Sequence, residues 1–291
     1  MKTSEWDVLV LDLDGTLLCK AGEVSEQNLH ALDEVRDYGI ELVVATGRCF
    51  AECKHILDRM NHLGVCITAG GSQLTDCDGK VIARNVVNQN IVEIVTSKIL
   101  HSNHRCLLLK DATVCDAQYV LVGDAPLHHA SSWWFESLGI SLLEVDTIED
   151  DPWPEHSLRV GAVAHEEHLL PIAVHLENEL EGKAKLQHWS AVTCSEATGS
   201  STHLLEVFGH QVNKWSMLEM HLGKEFDRTR IAAIGDGLND IELLKEVGLS
   251  IVMENANNDV QMHADVLTGH HDKHGFSEAM RRWIIPEQGR S

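Results

Sequence analysis

Val8-Leu9-Val10-Leu11-Asp12-Leu13-Asp14-Gly15-Thr16-Leu17-Leu18 begins as an apolar run and breaks on two acids. Residues 8–11 read as a buried strand, because an unbroken Val/Leu run suits a parallel sheet covered on both faces. A second stretch, Ile231-Ala232-Ala233-Ile234-Gly235-Asp236-Gly237-Leu238-Asn239-Asp240, repeats the pattern far downstream. In a doubly wound sheet the carboxyl ends of such strands meet, and ligands bind there. Asp12, Asp14, Asp236 and Asp240 would then crowd one sheet edge and repel one another. A hard divalent cation relieves that repulsion, and Mg²⁺ is the usual choice where phosphate is also bound. The two stretches predict an α/β fold, a doubly wound parallel sheet of Rossmann-like form. They also predict a Mg²⁺-dependent phosphoryl-transfer site assembled from distant sequence.

Composition narrows the function classes. A length of 291 residues accommodates one large domain or two medium ones. The net charge of −22, from 45 acidic and 23 basic residues, argues against nucleic-acid binding, which depends on Lys and Arg paired with phosphates. It also repels an anionic substrate at long range, so the site has to supply its own positive charge. No apolar stretch approaches the ~18 residues of a membrane span. Met1-Lys2-Thr3-Ser4-Glu5-Trp6-Asp7 leads straight into the first strand without a signal-peptide pattern, so no membrane association is expected. The eight cysteines include no Cys-x-x-Cys pair, which disfavours a zinc ribbon. Several lie in apolar runs, where Cys acts as a small hydrophobe. A reduced, cytoplasmic protein is expected. Of the 19 histidines, the adjacent pairs His128/His129 and His270/His271 do not place two ligands on one helix face, and exposed side chains are expected.

Strand–helix alternation organises both ends of the chain. Ser25 is an N-cap for a helix that runs to Tyr38 and stops at Gly39. Residues 41–45 form the second strand, ending at Thr46-Gly47-Arg48, and a helix follows over 51–60. Residues 65–68 are a third strand. Asp76-Cys77-Asp78-Gly79 is a hairpin turn between 73–75 and 80–83. The middle, 85–201, reads as an inserted α+β cap domain, leaving 1–84 plus 202–291 as the core. Within the cap, helices are expected over 89–100 and 166–180, with Pro171 in the first turn or breaking the second helix. Strands are expected over 106–109, 158–164 and 186–192. Alternation then resumes with a strand over 204–208, a helix over 213–222, a helix over 241–247 and a strand over 249–253.

Asp-x-Asp-Gly-Thr at a strand end has a chemical logic. Asp12 can attack phosphorus as a carboxylate nucleophile. Asp14, beyond a turn, can protonate the leaving oxygen and then deprotonate the attacking water. With these residues in view, the chain resembles the haloacid dehalogenase-like phosphohydrolases. Asp12-Leu13-Asp14-Gly15-Thr16-Leu17-Leu18 resembles their first motif, Ala45-Thr46-Gly47-Arg48 the second, Lys214 the third, and Gly235-Asp236-Gly237-Leu238-Asn239-Asp240 the fourth. The position of the insertion and the segment Leu249-Ser250-Ile251-Val252-Met253-Glu254-Asn255-Ala256 resemble the Cof-type branch.

The resemblance implies roles. Asp12 is the nucleophile and Asp14 the general acid/base. Thr46, the Gly47 N–H and Asn239 contact the phosphate, and Lys214 neutralises charge on the nucleophile and the phosphoryl group. Asp12, the Asp14 carbonyl and Asp236 hold Mg²⁺, with Asp240 supporting that set. Arg48 either joins the site or anchors its loop to a carboxylate. There are three departures from the family pattern. Gly70 stands where Asn is usual and Glu254 where Gly is usual. Gln211-Val212-Asn213-Lys214-Trp215 replaces Gly-Val-Ser-Lys-Gly.

The expected activity is hydrolysis of a small phosphorylated metabolite, a sugar phosphate first, through an aspartyl-phosphate. Phosphotransfer or mutase chemistry on the same intermediate is the alternative, as is a phosphorylated flavin precursor or pyridoxal phosphate as substrate. The cap is expected to choose the substrate, with Trp133, Trp134 and Trp153 either lining its pocket or filling its core. The sequence leaves the oligomeric state open.

Overall fold

Val8–Leu11 forms the first strand, β1, and every residue in it is buried. That burial is what an apolar strand meets when helices cover both faces of its sheet. The computed structural model describes residues 4–190 and 202–285. In chain order the elements begin β1, α1 (Glu26–Asp37), β2 (Glu41–Ala45), α2 (Phe50–Arg59), β3 (Cys66–Thr68), β4 (Gln73–Thr75) and β5 (Val81–Arg84). They continue α3 (Gln89–His101), β6 (Cys106–Lys110), β7 (Tyr119–Val122), α4 (His129–Leu138), β8 (Leu142–Val145), β9 (Ser157–His165), α5 (Glu166–Glu179), β10 (Ala184–Ser190) and β11 (Thr202–Gly209). The last are α6 (Lys214–Leu222), β12 (Ile231–Gly235), α7 (Ile241–Leu244), β13 (Leu249–Met253), α8 (Asn258–Gln261), β14 (Val266–Thr268) and α9 (Gly275–Ala279).

The chain divides into two units, Met1–Ile82 with Asn213–Ser291, and Ala83–Val212. The first holds an eight-stranded sheet in the order β14-β13-β12-β1-β2-β3-β4-β5. Its strands from β14 to β3 run parallel, and β4 returns antiparallel to β3. Leu9, Leu11, Val44, Ile234 and Ile251 are among the strand residues that form its apolar core, with Leu32, Val35 and Ile56 of the covering helices. The expected helix start holds: Ser25 Oγ accepts the Asn28 N–H at 3.2 Å. Leu13–Leu17 makes a wide turn, closed by the Leu18 N–H on the Leu13 carbonyl at 2.9 Å, with Gly15 at φ +74°.

The second unit is an α+β cap. Its six-stranded sheet runs β10-β11-β9-β6-β7-β8, antiparallel except for the β7–β8 pair. Residues of α3 and α5, among them Val92, Val95, Leu169 and Leu176, share a core with Leu108, Val160 and Val207 of the sheet. Lys110 is fully buried there and is satisfied by Asp151, Ser157 Oγ and the Trp153 carbonyl. Trp153 packs against this core, whereas Trp133 is exposed.

Several expectations are corrected. The strand over 204–208 does not rejoin the first sheet: β11 pairs antiparallel with β9 and β10. The inserted unit therefore extends to Val212 rather than 201, and begins at Ala83 rather than 85. Alternation along the chain marks a strand but not the sheet it joins. Pro171 lies inside α5, past its first turn, and α5 continues through it. Pro171 and Glu167, whose carbonyl loses the N–H that Pro171 lacks, are both exposed, so water can satisfy that carbonyl. The helix expected over 241–247 stops at Leu244. The strand expected over 186–192 appears as β10, and its last two residues lie outside the described residues. Among the described residues no helix is long and apolar enough to cross a membrane.

The loop after β3 explains one departure. Gly70 has φ +67° and ψ +16°, the left-handed region that Asn adopts as well as Gly. Gly71 is different: at φ +106°, an added Cβ would stand 2.3 Å from the Asn213 backbone at the start of α6. Gly70→Asn should therefore stay within about 1 kcal/mol of the parent protein, whereas Gly71→Ala should lose about 2 kcal/mol or more. Urea unfolding midpoints of the two variants check this, and equal midpoints would contradict it.

Candidate active site

Register places the motifs together before any side chain is considered. Leu11 lies opposite Ile234 on one side and Val44 on the other. The Asp12 N–H donates to the Ile234 carbonyl at 3.1 Å, and the Thr46 N–H to the Ile67 carbonyl at 2.8 Å. Asp12, Asp236 and Thr46-Gly47 thus leave neighbouring strands at one sheet edge. β1 lies between β2 and β12, where strand order departs in both directions, the crevice in which such folds bind ligands. Asn213 caps α6 by accepting the Ser216 N–H at 2.7 Å, and Lys214 opens that helix.

Lys214 is fully buried, and its Nζ donates to Asp12 Oδ1 and to Asp240 Oδ1, each at 2.6 Å. Asp240 Oδ2 accepts the backbone N–H groups of Asp236 at 3.2 Å and Gly237 at 2.9 Å. Asp236 accepts from Thr16 Oγ1 at 3.0 Å and Asn255 Nδ2 at 2.9 Å. The turn is tight: a Cβ on Gly15 would stand 2.2 Å from Asp236 Oδ2. Glycine is required there on two counts, the contact and the positive φ.

These charges act on one another. Burial pushes the Asp12 carboxyl well above its ordinary range; Lys214 opposes this, and Asp240 and Asp236 add to it. Burial and the charge of Asp240 raise Asp236 to about 7, against the Thr16 hydrogen bond and Lys214. Burial works against the Lys214 ammonium, but Asp12 and Asp240 outweigh it and hold it above its ordinary value. Carboxylate oxygens of Asp12, Asp236 and Asp240 lie within 4.8 Å of one another. A single ammonium leaves this set, with Asp12 and Asp240 buried and Asp236 half-buried, with excess negative charge. Closely spaced oxygen donors with excess negative charge fit a hard divalent cation. A second cluster, His270, His271 and Asp272, also meets that spacing. Its atoms are engaged locally: His271 Nδ1 donates to the Leu18 carbonyl, Asp272 accepts the Lys20 N–H, and His270 Nδ1 accepts the Asp272 N–H.

Asp14 is placed differently. Its carboxylate is held by Arg48, from Nε at 2.7 Å and Nη2 at 2.5 Å, a bidentate pair. Arg48 thus anchors to a carboxylate, and that carboxylate belongs to the first motif. Thr46 is buried, and its Oγ1 accepts the Arg48 N–H at 3.2 Å. Gly47 faces Asn239, whose Nδ2 lies 3.5 Å from where a Cβ on Gly47 would be. Thr46, Gly47 and Asn239 therefore gather at the same edge as Asp12 and Lys214. Sequence reasoning missed Thr16 and Asn255 as partners of Asp236, although both lie inside stretches already singled out.

The remaining departures have local causes. Gln211 adopts φ +61°, a left-handed conformation suited to glycine. Trp215 lies under the Arg228 guanidinium, 4.8 Å from its carbon. Glu254 is exposed.

Removing the shared cation has a signed consequence. Lys214→Met strands Asp12 and Asp240 in a buried site. A carboxyl whose folded pKa is raised stabilises the fold while protonated and loses that contribution as pH rises through the folded value. The variant should therefore lose about 3–5 kcal/mol at pH 8 and clearly less at pH 5. Urea unfolding in EDTA at both pH values checks this; a loss independent of pH would contradict it.

Residues 9–280 match the haloacid dehalogenase-like hydrolase family. The 5-amino-6-(5-phospho-D-ribitylamino)uracil phosphatase of Bacillus subtilis is 27% identical over 279 residues, 96% of each chain. An HMP-PP phosphatase of Yersinia pseudotuberculosis is 28% identical over 280 residues, 94% of this chain and 93% of that one. Among solved structures, a haloacid dehalogenase-like hydrolase from Bacteroides thetaiotaomicron matches with a TM-score of 0.76 at 25% identity, covering 95% of this chain and 99% of that one. With the family match running from inside β1 to beyond α9, the chain belongs to the haloacid dehalogenase-like hydrolases.

Proposed function

We propose that the protein is a Mg²⁺-dependent phosphatase of a small phosphorylated metabolite, working through an aspartyl-phosphate on Asp12. The observation that carries the reading is the buried Asp12 carboxylate bound on one oxygen by the Lys214 ammonium, beside Asp236 and Asp240. Lys214 orients Asp12 and lowers the charge an incoming phosphate meets, leaving Asp12 Oδ2 to attack phosphorus. The new Asp12–phosphorus bond forms as the bond to the leaving oxygen breaks. Asp14 gives that oxygen its proton, then takes one from the water that cleaves the aspartyl-phosphate and restores Asp12. To exchange a proton with the leaving oxygen and the water, the Asp14 carboxylate has to come free of its bidentate pair with Arg48. Thr46 Oγ1, the Gly47 N–H, Asn239 and Lys214 hold phosphoryl oxygens through transfer.

The Asp12 and Asp236 carboxylates and the Asp14 carbonyl would hold the Mg²⁺. When bound, the ion supplies charge neutralisation and a template for the transferring group. Asp240, with both oxygens engaged by Lys214 and the 236–237 backbone, acts by fixing that lysine and that turn. Every residue given a chemical role lies in the first unit, so substrate choice is assigned to the second. A sugar phosphate is the first candidate. The relative named for a phosphoribitylamino-uracil supports a second reading, a phosphorylated flavin precursor. The setting is cytoplasmic on this reading: the described cysteines are free thiols, as a reducing compartment keeps them.

Asp12→Asn keeps the shape and removes the attacking charge, so turnover should fall by at least ~10³-fold. Retention of a tenth of the parent rate would exclude Asp12 as nucleophile. EDTA should abolish phosphate release and Mg²⁺ restore it, across a panel of sugar phosphates, flavin-precursor phosphates and pyridoxal phosphate. Phosphorylated acceptor in place of free phosphate would instead identify a phosphotransferase or mutase. A proton on Asp236, with its pKa near 7, has to leave before the ion binds. Thermal stabilisation by Mg²⁺ should therefore be greater at pH 8 than at pH 6, and the opposite trend would contradict the assignment.

A further inference from the structure

Asn255 lies in the turn after β13 and belongs to none of the chemical roles above. Its side chain makes three hydrogen bonds. Nδ2 donates to Asp236 Oδ2 at 2.9 Å and to the Gly15 carbonyl at 2.8 Å. Oδ1 accepts the His271 N–H at 3.1 Å. This pattern fixes the amide orientation, because the reversed amide would set an oxygen against two acceptors and a nitrogen against a donor. Both Nδ2 hydrogens are thereby used, one on each motif.

The segment that receives Asn255 Oδ1 is itself pinned. His271 Nδ1 donates to the Leu18 carbonyl at 2.8 Å, just past the first-motif turn. The Lys20 N–H donates to Asp272 Oδ1 at 2.6 Å. The 270–272 segment therefore grips residues 18–20 and presents the His271 N–H to Asn255. Thr16 Oγ1 holds the other oxygen of Asp236 at 3.0 Å. Asp236 is thus fixed by one neutral donor on each oxygen, and Asn255 is the one that also holds Gly15.

We propose that Asn255 is a positioning residue for the metal site: its amide sets the orientation of the Asp236 carboxylate and its spacing from the first-motif turn. The proposal rests on the Mg²⁺ reading above. Groups that orient a metal ligand change affinity when lost, even though they never touch the ion. An amide suits the position because it supplies two donors and no charge. A cation would repel the incoming ion, and a shorter hydroxyl carries a single donor.

The test is a Mg²⁺ titration of the full chain, read by thermal unfolding and by calorimetry. Asn255→Ala should raise the Mg²⁺ midpoint by about 10–100-fold. Ser250→Ala is the control for loosening alone. It removes bonds to the His263 carbonyl and Asp265 at the other end of β13. It should lower the unfolding temperature and leave the Mg²⁺ midpoint in place. If wild type responds to Mg²⁺ and Asn255→Ala shows the same midpoint, the role of Asn255 is overturned while the metal reading stands. If Mg²⁺ neither binds nor stabilises wild type, both fall. The Asn255 side-chain amide resonance of the wild-type protein gives a readout that does not depend on the variant folding. It should shift during the titration with the calorimetric midpoint, and an unmoved resonance overturns the proposal.

Discussion

The Lys214 ammonium is the contact on which the rest of the site depends. Taking ions out of water costs several kcal/mol each, and only close, well-aligned partners recover it. Asp12 and Asp240 meet that condition, each with an oxygen 2.6 Å from the nitrogen. The three residues come from the turn after β1, the start of α6 and the turn after β12, segments far apart in sequence. The ion pairs form only if the sheet is complete, so the chemistry of the site reports on the fold. They also make the carboxylate edge tolerable without neutralising it, and that residual charge favours a divalent cation there.

Sheet topology does the coarse positioning and glycine the fine. Parallel pairing of β12, β1 and β2 sets three strand ends side by side. Gly15 lets the first-motif turn approach Asp236 closer than any side chain allows, and Gly71 does the same for the start of α6. The long second unit is inserted in the sequence between these parts and supplies none of the residues that meet at Lys214. With substrate choice assigned to the second unit, as proposed above, specificity can change while the phosphoryl-transfer edge stays intact.

Much of this was legible in the sequence because it is local. The Val8–Leu11 run, the Ser25 cap and the strands over 41–45 and 249–253 follow from apolar patterning and capping alone. The acidic motifs marked the site because paired carboxylates at strand ends have few structural uses. What stayed hidden depends on partners far away in the chain. The apolar run over 204–208 looks the same whether it pairs with β9 or with a core strand. Nothing near Arg48 says that its guanidinium will clasp Asp14. Asn255 is one polar residue in a turn until the fold sets it against Gly15 and Asp236. β7, α4 and β8 were passed over because their signals are short and no motif drew attention to them.

The central claim is that phosphoryl transfer passes through the Asp12 carboxylate, held in place by Lys214. Its most direct test is chemical trapping: turnover on a good substrate with Mg²⁺ is quenched with borohydride, and the peptide carrying residue 12 is sequenced by mass spectrometry. Borohydride reduces an acyl phosphate to an alcohol, so the account expects homoserine at position 12 and unmodified Asp at 14, 236 and 240. Reduction at another carboxylate, or none in a chain that is turning over, would contradict it.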